Sequence, residues 1–237
     1  MLSFASGLWN LRHSSWFGLF FSLVLMMAMG GTAGVYSVAL DEQREAARDA
    51  FLSRSPMWGN KESNIVIVEF GDFNCKACQA LHQKVYREAI EQHVRSGRAV
   101  YYYVDVGILG KDSEAGSRFL YCLQKHDSAL ASTFVDSLYA RPEQHWNASK
   151  YRRLYQNLKG EQLSTLQGCT RSRAAQAFVK ENQYRMRKSM VRELPGLVVG
   201  DRQPNFNPQD VEALLQEMSG WTVSIPIADP LYTGQTH

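Results

Sequence analysis

The sequence predicts an α/β fold with a block of helices inserted into it, carried behind an apolar N-terminal segment. Three observations lead there. A short β-branched run, a helical pattern and a second strand-like run fill the stretch from Asn64 to Val106, which is the order of a βαβ unit. From Asp112 to about Met190 the pattern is helical throughout. Strand-like sequence then resumes at Leu194–Gln203.

Composition bounds what the chain can be. Of its 237 residues 45% are hydrophobic and 21% charged, so it can bury a core and is not a disordered chain. A formal charge of +3 is too small to imply a nucleic-acid partner. Four cysteines are too few for a disulfide-stapled mini-protein.

From Ser14 to Leu40 no residue is charged; Arg12 precedes this run and Asp41, Glu42, Arg44 and Glu45 come after it. That bias keeps residues 1–15 in the cytoplasm and exports the rest of the chain. Two readings are open. Residues 16–40 are long enough to be a signal anchor spanning a bilayer. Alternatively, Trp16 to Met29 is the apolar part of a cleaved signal peptide, with Ala33 or Ala39 before the cut. In both, the exported part meets an oxidising compartment, where cysteines pair.

The exported part begins with a polar helix at residues 41–54 that has few apolar positions, which makes 41–60 a stalk or linker. "SPMWGNKES" is broken by Pro56 and Gly59 and reads as a loop. "NIVIVEF" (64–70) is continuous and β-branched, the mark of a buried central strand. "GDFN" turns the chain, and a helix starts near Cys75, with Ala80, Leu81, Val85, Ala89 and Ile90 at helical spacing. "AVYYYVDV" (99–106) is the second strand, parallel to the first through a right-handed crossover. Asp112 or Ser113 caps the first helix of the insertion, about 111–190, which Pro142 and Gly160 interrupt. Leu197–Val199 is a strand and Gly200-Asp201 a turn. The last helix has Asn207 as cap, Pro208 in its first turn and Gly220 at its end. The main domain therefore covers 61–220, and 221–237 is a loose tail.

The chemistry lies in "EFGDFNCKACQALH" (69–82). Cys75 and Cys78 come after a buried strand and open a helix. At i and i+3 they are neighbours on its first turn, so a small-ring disulfide can form between them. The first cysteine sits where helix N–H groups are unpaired and the dipole is positive. Such sites lower a cysteine pKa from about 8.5 toward about 3.5–7.5. A thiolate there attacks and leaves readily, while its partner resolves the mixed disulfide. Cys75 is thus the expected exposed nucleophile and Cys78 the resolving thiol. A purely structural disulfide is one alternative. A zinc site is another: Cys75, Cys78 and His82 share the helix start, but a second Cys-x-x-Cys or a His-x-x-x-His is missing. His82 reads more simply as a helix-face residue.

"NIVIVEFGDFNCKACQALH", "GKDSEAGSRFLYCL", "LQGC" and "LPGLVVGD" together resemble the DsbA-like family of thioredoxin-fold thiol:disulfide oxidoreductases, over roughly 56–218. The resemblance implies a thioredoxin fold, its mixed central sheet flanked by helices, interrupted by the helical insertion. It makes Cys75 and Cys78 the redox pair and Pro195 a cis-proline lying against it. Leu194 would face the substrate chain. Glu69 would be a buried acid exchanging a proton with Cys78; the plainer reading is a strand-end residue reaching water. Two positions depart from the family: Lys76-Ala77 where Pro-His is common, and Gly196 where threonine is usual. Some relatives carry a second disulfide, here Cys122–Cys169; two separate buried thiols are the alternative.

The resemblance implies disulfide donation to unfolded or exported cysteine-containing proteins in a bacterial periplasm, with a membrane redox partner resetting the pair. Two other functions are weighed: a reductase or isomerase kept reduced by a membrane partner, and a non-catalytic chaperone of a secretion or surface apparatus. No organic cofactor or metal is expected, since neither a dinucleotide fingerprint nor a P-loop is present. Seven basic residues between Arg171 and Arg192 read as a solvated helix face rather than a binding patch.

Overall fold

A computed structural model of the chain describes residues 42–219 apart from residues 44, 142–144 and 160–163. The apolar run 14–40, the tail 221–237, Pro142, Gly160 and Gly220 lie outside the described residues, and with them the expected anchor or signal peptide. Among the described residues no helix is long and apolar enough to cross a membrane. The chain divides into two compact units, residues 1–46 and 47–237. In the first, residues 42–43 and 45–46 are helical. The second holds the sheet and its helices.

The helical residues 47–52 (α1) lead to strand β1 (Met57–Gly59) and strand β2 (Ile65–Gly71). Helix α2 (Lys76–Leu81) runs on through a π-helical stretch (His82–Ile90) into α3 (Glu91–Arg95). Strand β3 (Ala99–Asp105) closes the predicted βαβ unit. Helices α4 (Lys111–His126), α5 (Ser128–Tyr139), α6 (Ala148–Lys159), α7 (Ser164–Thr170) and α8 (Arg173–Lys188) form the helical block. Strand β4 (Gly196–Val199) and helix α9 (Pro208–Met218) resume the frame.

The sheet order is β1-β3-β2-β4. β2 and β3 are parallel, while β1 and β4 run antiparallel to their neighbours, so the sheet is mixed. The period-2 alternation of strands divides its residues between two cores. Ile65, Ile67, Tyr101, Tyr103, Leu197 and Val199 face one, together with Cys75, Cys78, Leu81 and the apolar faces of the inserted helices and α9. Val68, Phe70, Val100, Tyr102, Val104 and Val198 face the other, which Phe51, Leu52, Met186 and Val191 cover.

Three local expectations are corrected. "SPMWGNKES" contains a strand: Met57–Gly59 pairs with Val100–Tyr102. Pro56 precedes this edge strand and Gly59 is its last residue, at φ 96°, a conformation that favours glycine. The polar helix read as part of a stalk ends in the core, because Phe51 and Leu52 are buried against the sheet. Helix α4 is capped by Gly110 at φ 111°, not by Asp112 or Ser113. Asp112 lies in its first turn, where a negative charge meets the helix dipole favourably, and Ser113 is turned inward. The Asn207 cap is as read: its side chain accepts the N–H of Asp210 at 2.8 Å.

Candidate active site

Cys75 occupies the N-cap of α2 in an extended conformation, φ −85° and ψ 110°. Its Sγ accepts the N–H of Cys78 at 3.1 Å. That N–H belongs to the first helical turn, whose donors lack intrahelical acceptors. The sulfur therefore sits against a donor and at the positive end of the helix dipole, the setting that favours a thiolate. Cys75 and Cys78 are joined as a disulfide. Cys75 is 7% exposed and Cys78 fully buried, so the first cysteine is far less open than expected but is still the one that solvent reaches. Lys76 and Ala77 between them are exposed.

The turn before Cys75 ties the pair to the helical block. Asp72 is fully buried, and its carboxylate accepts four hydrogen bonds. Oδ1 takes the N–H of Asn74 at 2.9 Å and the hydroxyl of Ser113 at 2.7 Å. Oδ2 takes the N–H groups of Ile108 and Leu109 at 2.9 and 3.0 Å. Asn74 in turn donates to the Trp146 carbonyl at 3.0 Å and accepts the Trp146 N–H at 2.7 Å. Phe73 stacks on Tyr103 at 5.6 Å between ring centres. The stretch "GDFN" by itself discloses only a turn, because the partners Ile108, Leu109, Ser113 and Trp146 lie 36 or more positions downstream.

Glu69 is fully buried, which removes the reading of a strand end reaching water. The Tyr101 hydroxyl donates to its Oε2, and His82 Nδ1 lies 3.9 Å from the same oxygen. His82 is not on an exposed helix face. Its ring is buried, stacked on Tyr86 at 4.9 Å, with Nε2 3.3 Å from Asp136 Oδ1. Burial opposes charge on this ring, but the hydrogen bond to Asp136 and the nearby Glu69 carboxylate outweigh it and raise its pKa to about 8. Burial and the Glu69 charge push the Tyr101 hydroxyl well above its ordinary value. Further along β3 the Tyr103 hydroxyl donates to Asp105 at 3.0 Å and lies 2.6 Å from the Tyr139 hydroxyl. Burial first, and then the Asp72 charge, hold the Asp105 carboxyl well above the usual range.

The Leu194–Pro195 peptide bond is cis. Leu194 packs against the cluster that holds Cys75 and Cys78, and Pro195 is buried. A side chain at Gly196 would run into Val191, whose branched side chain fills that space. The departure from threonine is thus matched by a neighbour. Cys122 on α4 and Cys169 on α7 form a second disulfide. Of the basic residues after Arg171, Arg173, Lys180, Arg187, Lys188 and Arg192 are exposed and Arg185 is half-buried, the pattern of a solvated face. Among the described residues no group of three or more His, Cys, Asp or Glu side chains is placed to hold a metal ion.

Comparison with known proteins adds three findings. The family model described as Thioredoxin matches residues 53–217. A probable disulfide bond formation protein D of Bacillus cereus is 27% identical over 122 residues, 52% of this chain and 56% of that protein. The chain therefore spans about half the length of the curated relatives it matches. Oxidised BdbD from Bacillus subtilis superposes with a TM-score of 0.66 at 18% identity, covering 72% of this chain and 95% of that one. The thiol-disulfide exchange protein alpha-DsbA2 of Wolbachia pipientis gives 0.61 at 17% identity, with 78% and 97% covered. At these identities the structures share the fold.

Proposed function

Since the chain belongs to the thioredoxin family, in its DsbA-like branch, we propose that it is a thiol–disulfide oxidoreductase donating disulfides through Cys75 and Cys78. The observation that carries this reading is the placement of Cys75 Sγ on the Cys78 N–H at the helix start, with Cys78 buried one turn on.

A substrate thiolate attacks Cys75 Sγ. The Cys75–Cys78 bond breaks, its electron pair goes to Cys78 Sγ, and Cys78 takes up a proton. A second substrate thiolate then attacks the substrate sulfur of the mixed disulfide, and Cys75 leaves as a thiolate held by the Cys78 N–H. The substrate loses two electrons, the pair gains them, and the substrate leaves with a disulfide. Glu69, buried on the sheet face under the helix, is the group that exchanges the Cys78 proton. Leu194 and the cis Pro195 shape the place where the substrate chain lies. Cys122–Cys169 is structural and holds α4 to α7.

The substrates in this reading are unfolded or exported cysteine-containing proteins, and a membrane redox partner reoxidises the pair. No organic cofactor takes part. The protein works in a bacterial periplasm, tethered by residues 16–40 with 1–15 in the cytoplasm, or released after cleavage. The thioredoxin domain begins within 41–60, where Phe51, Leu52 and Met57–Gly59 already join its core and sheet, and 221–237 follow it in the sequence.

The test is trapping. A Cys78→Ser protein whose Cys75 is first loaded as a disulfide with glutathione should, with a reduced, unfolded protein carrying one cysteine, release glutathione and accumulate a mixed disulfide through Cys75, and Cys75→Ser should form none. Full activity of Cys75→Ser, or no adduct with Cys78→Ser, would refute the reading.

A further inference from the structure

We propose that His82 and Asp136 form the path by which Glu69 exchanges protons with solvent, so that buried Cys78 can be protonated when it leaves. This rests on the function proposed above and adds residues to it.

The groups form a chain from the core to the surface. Cys78 and His82 stand one helical turn apart, and the His82 N–H bonds the Cys78 carbonyl. Both side chains thus point from one helix face toward the sheet, where Glu69 is fully buried. The imidazole bridges two carboxylates: Nδ1 lies 3.9 Å from Glu69 Oε2, and Nε2 lies 3.3 Å from Asp136 Oδ1. Asp136 is 48% exposed and the His82 side chain 5%, so the chain has one dry end and one wet end. Asp136 is also held by the Trp58 indole N–H at 3.2 Å. The wet end opens into a cavity of about 890 Å³ lined by His82, Asp136, Trp58 and Tyr86.

Within this group of residues two buried atoms lack hydrogen-bond partners, His82 Nδ1 and Glu69 Oε1. The 3.9 Å separation between His82 Nδ1 and Glu69 Oε2 exceeds a hydrogen bond, so the transfer requires the two groups to approach. Among the described residues, His82 meets Glu69 from β2, Tyr101 from β3, Asp136 and Tyr139 from α5, Trp58 from β1, and Tyr86 from its own helix. Arg87, Glu91 and Arg95 line the cavity further out. Burial and the two carboxylates together place the pKa of His82 at about 8, so near neutral pH it carries a proton it can pass on. In the forward step a proton passes from His82 to the Glu69 carboxylate and on to the Cys78 thiolate, and His82 is recharged through Asp136. No electrons move along this path.

The experiment is single-turnover reduction of the oxidised full chain by dithiothreitol from pH 5.5 to 9.5, with rates divided by the dithiothreitol thiolate fraction. For the unmodified protein the corrected rate should fall as pH rises through about 8. Direct acid–base groups contribute about 10²–10⁴-fold, so a group one step removed should give about tenfold. His82→Gln should therefore react about tenfold more slowly at pH 7 and lose the inflection. Asp136→Asn should keep the inflection but move it to lower pH. This exposed substitution keeps the test decisive if His82→Gln fails to fold. An unchanged pH profile in Asp136→Asn, or an unchanged rate and profile in His82→Gln, overturns the proton path. A Cys75–Cys78 pair that does not react at all in the unmodified protein overturns the oxidoreductase reading first, and this one with it.

Discussion

Replacing Asp72 should loosen the turn that presents Cys75, by an amount its four hydrogen bonds allow one to work out. Bonds to a charged acceptor contribute about 1.5–3 kcal/mol each. They are not equivalent here. Ile108 and Leu109 are 43% and 52% exposed, so their N–H groups can turn to water when the carboxylate is removed. The Asn74 N–H bond is partly buried and the Ser113 hydroxyl is fully buried, and these two donors are the ones that most lose by the missing acceptor. The loss is about 3–6 kcal/mol, reduced by the relief of no longer burying a charge, which leaves about 3 kcal/mol for Asp72→Ala. Asp72→Asn keeps the shape but turns an amide toward two N–H donors, and should cost about 2 kcal/mol. Urea unfolding measures both, and amide hydrogen exchange should rise at Ile108 and Leu109. A loss below about 1 kcal/mol for Asp72→Ala would refute the idea that this carboxylate braces the site.

Other parts of the fold give further outcomes. Removing the Cys122–Cys169 disulfide by paired alanine substitution opens a loop of 47 residues and should cost about 4 kcal/mol in urea unfolding. His82 is raised in the folded state to about 8 from 6.5, so its stabilising share is complete below pH 6.5 and lost as pH rises through about 8. Stability should fall by about 2 kcal/mol more between pH 6 and 9 in the unmodified protein than in His82→Gln. In Gly116→Ala the added methyl would stand 2.6 Å from the buried Tyr151 ring, so the usual helical gain of alanine should be reversed to a loss of about 1–2 kcal/mol by thermal unfolding.

What the sequence disclosed was local. The β-branched run at Ile65–Phe70 and the Asn207-Pro208 cap each carry their signal within a few residues, and both elements form where that signal places them. β1 escaped because its three residues are made a strand by β3, more than 40 residues away. From sequence alone His82 reads as a helix-face residue, because the group that meets it, Asp136, lies on α5. Asp72 looked like a turn residue for the same reason: its partners Ile108, Leu109 and Ser113 are 36 to 41 positions downstream. The alternation Tyr101, Tyr103, Asp105 was visible in β3. It says that these side chains share a sheet face, but not that Glu69 lies under one of them.

The central claim is tested most directly by the redox equilibrium of the full chain in glutathione buffers, read by differential alkylation at the Cys75 and Cys78 peptides so that Cys122 and Cys169 do not contribute. Disulfide donation predicts a pair that is readily reduced, with a potential well above that of the glutathione pool, despite Lys76-Ala77 in place of Pro-His. A pair that stays oxidised until conditions are strongly reducing would contradict it.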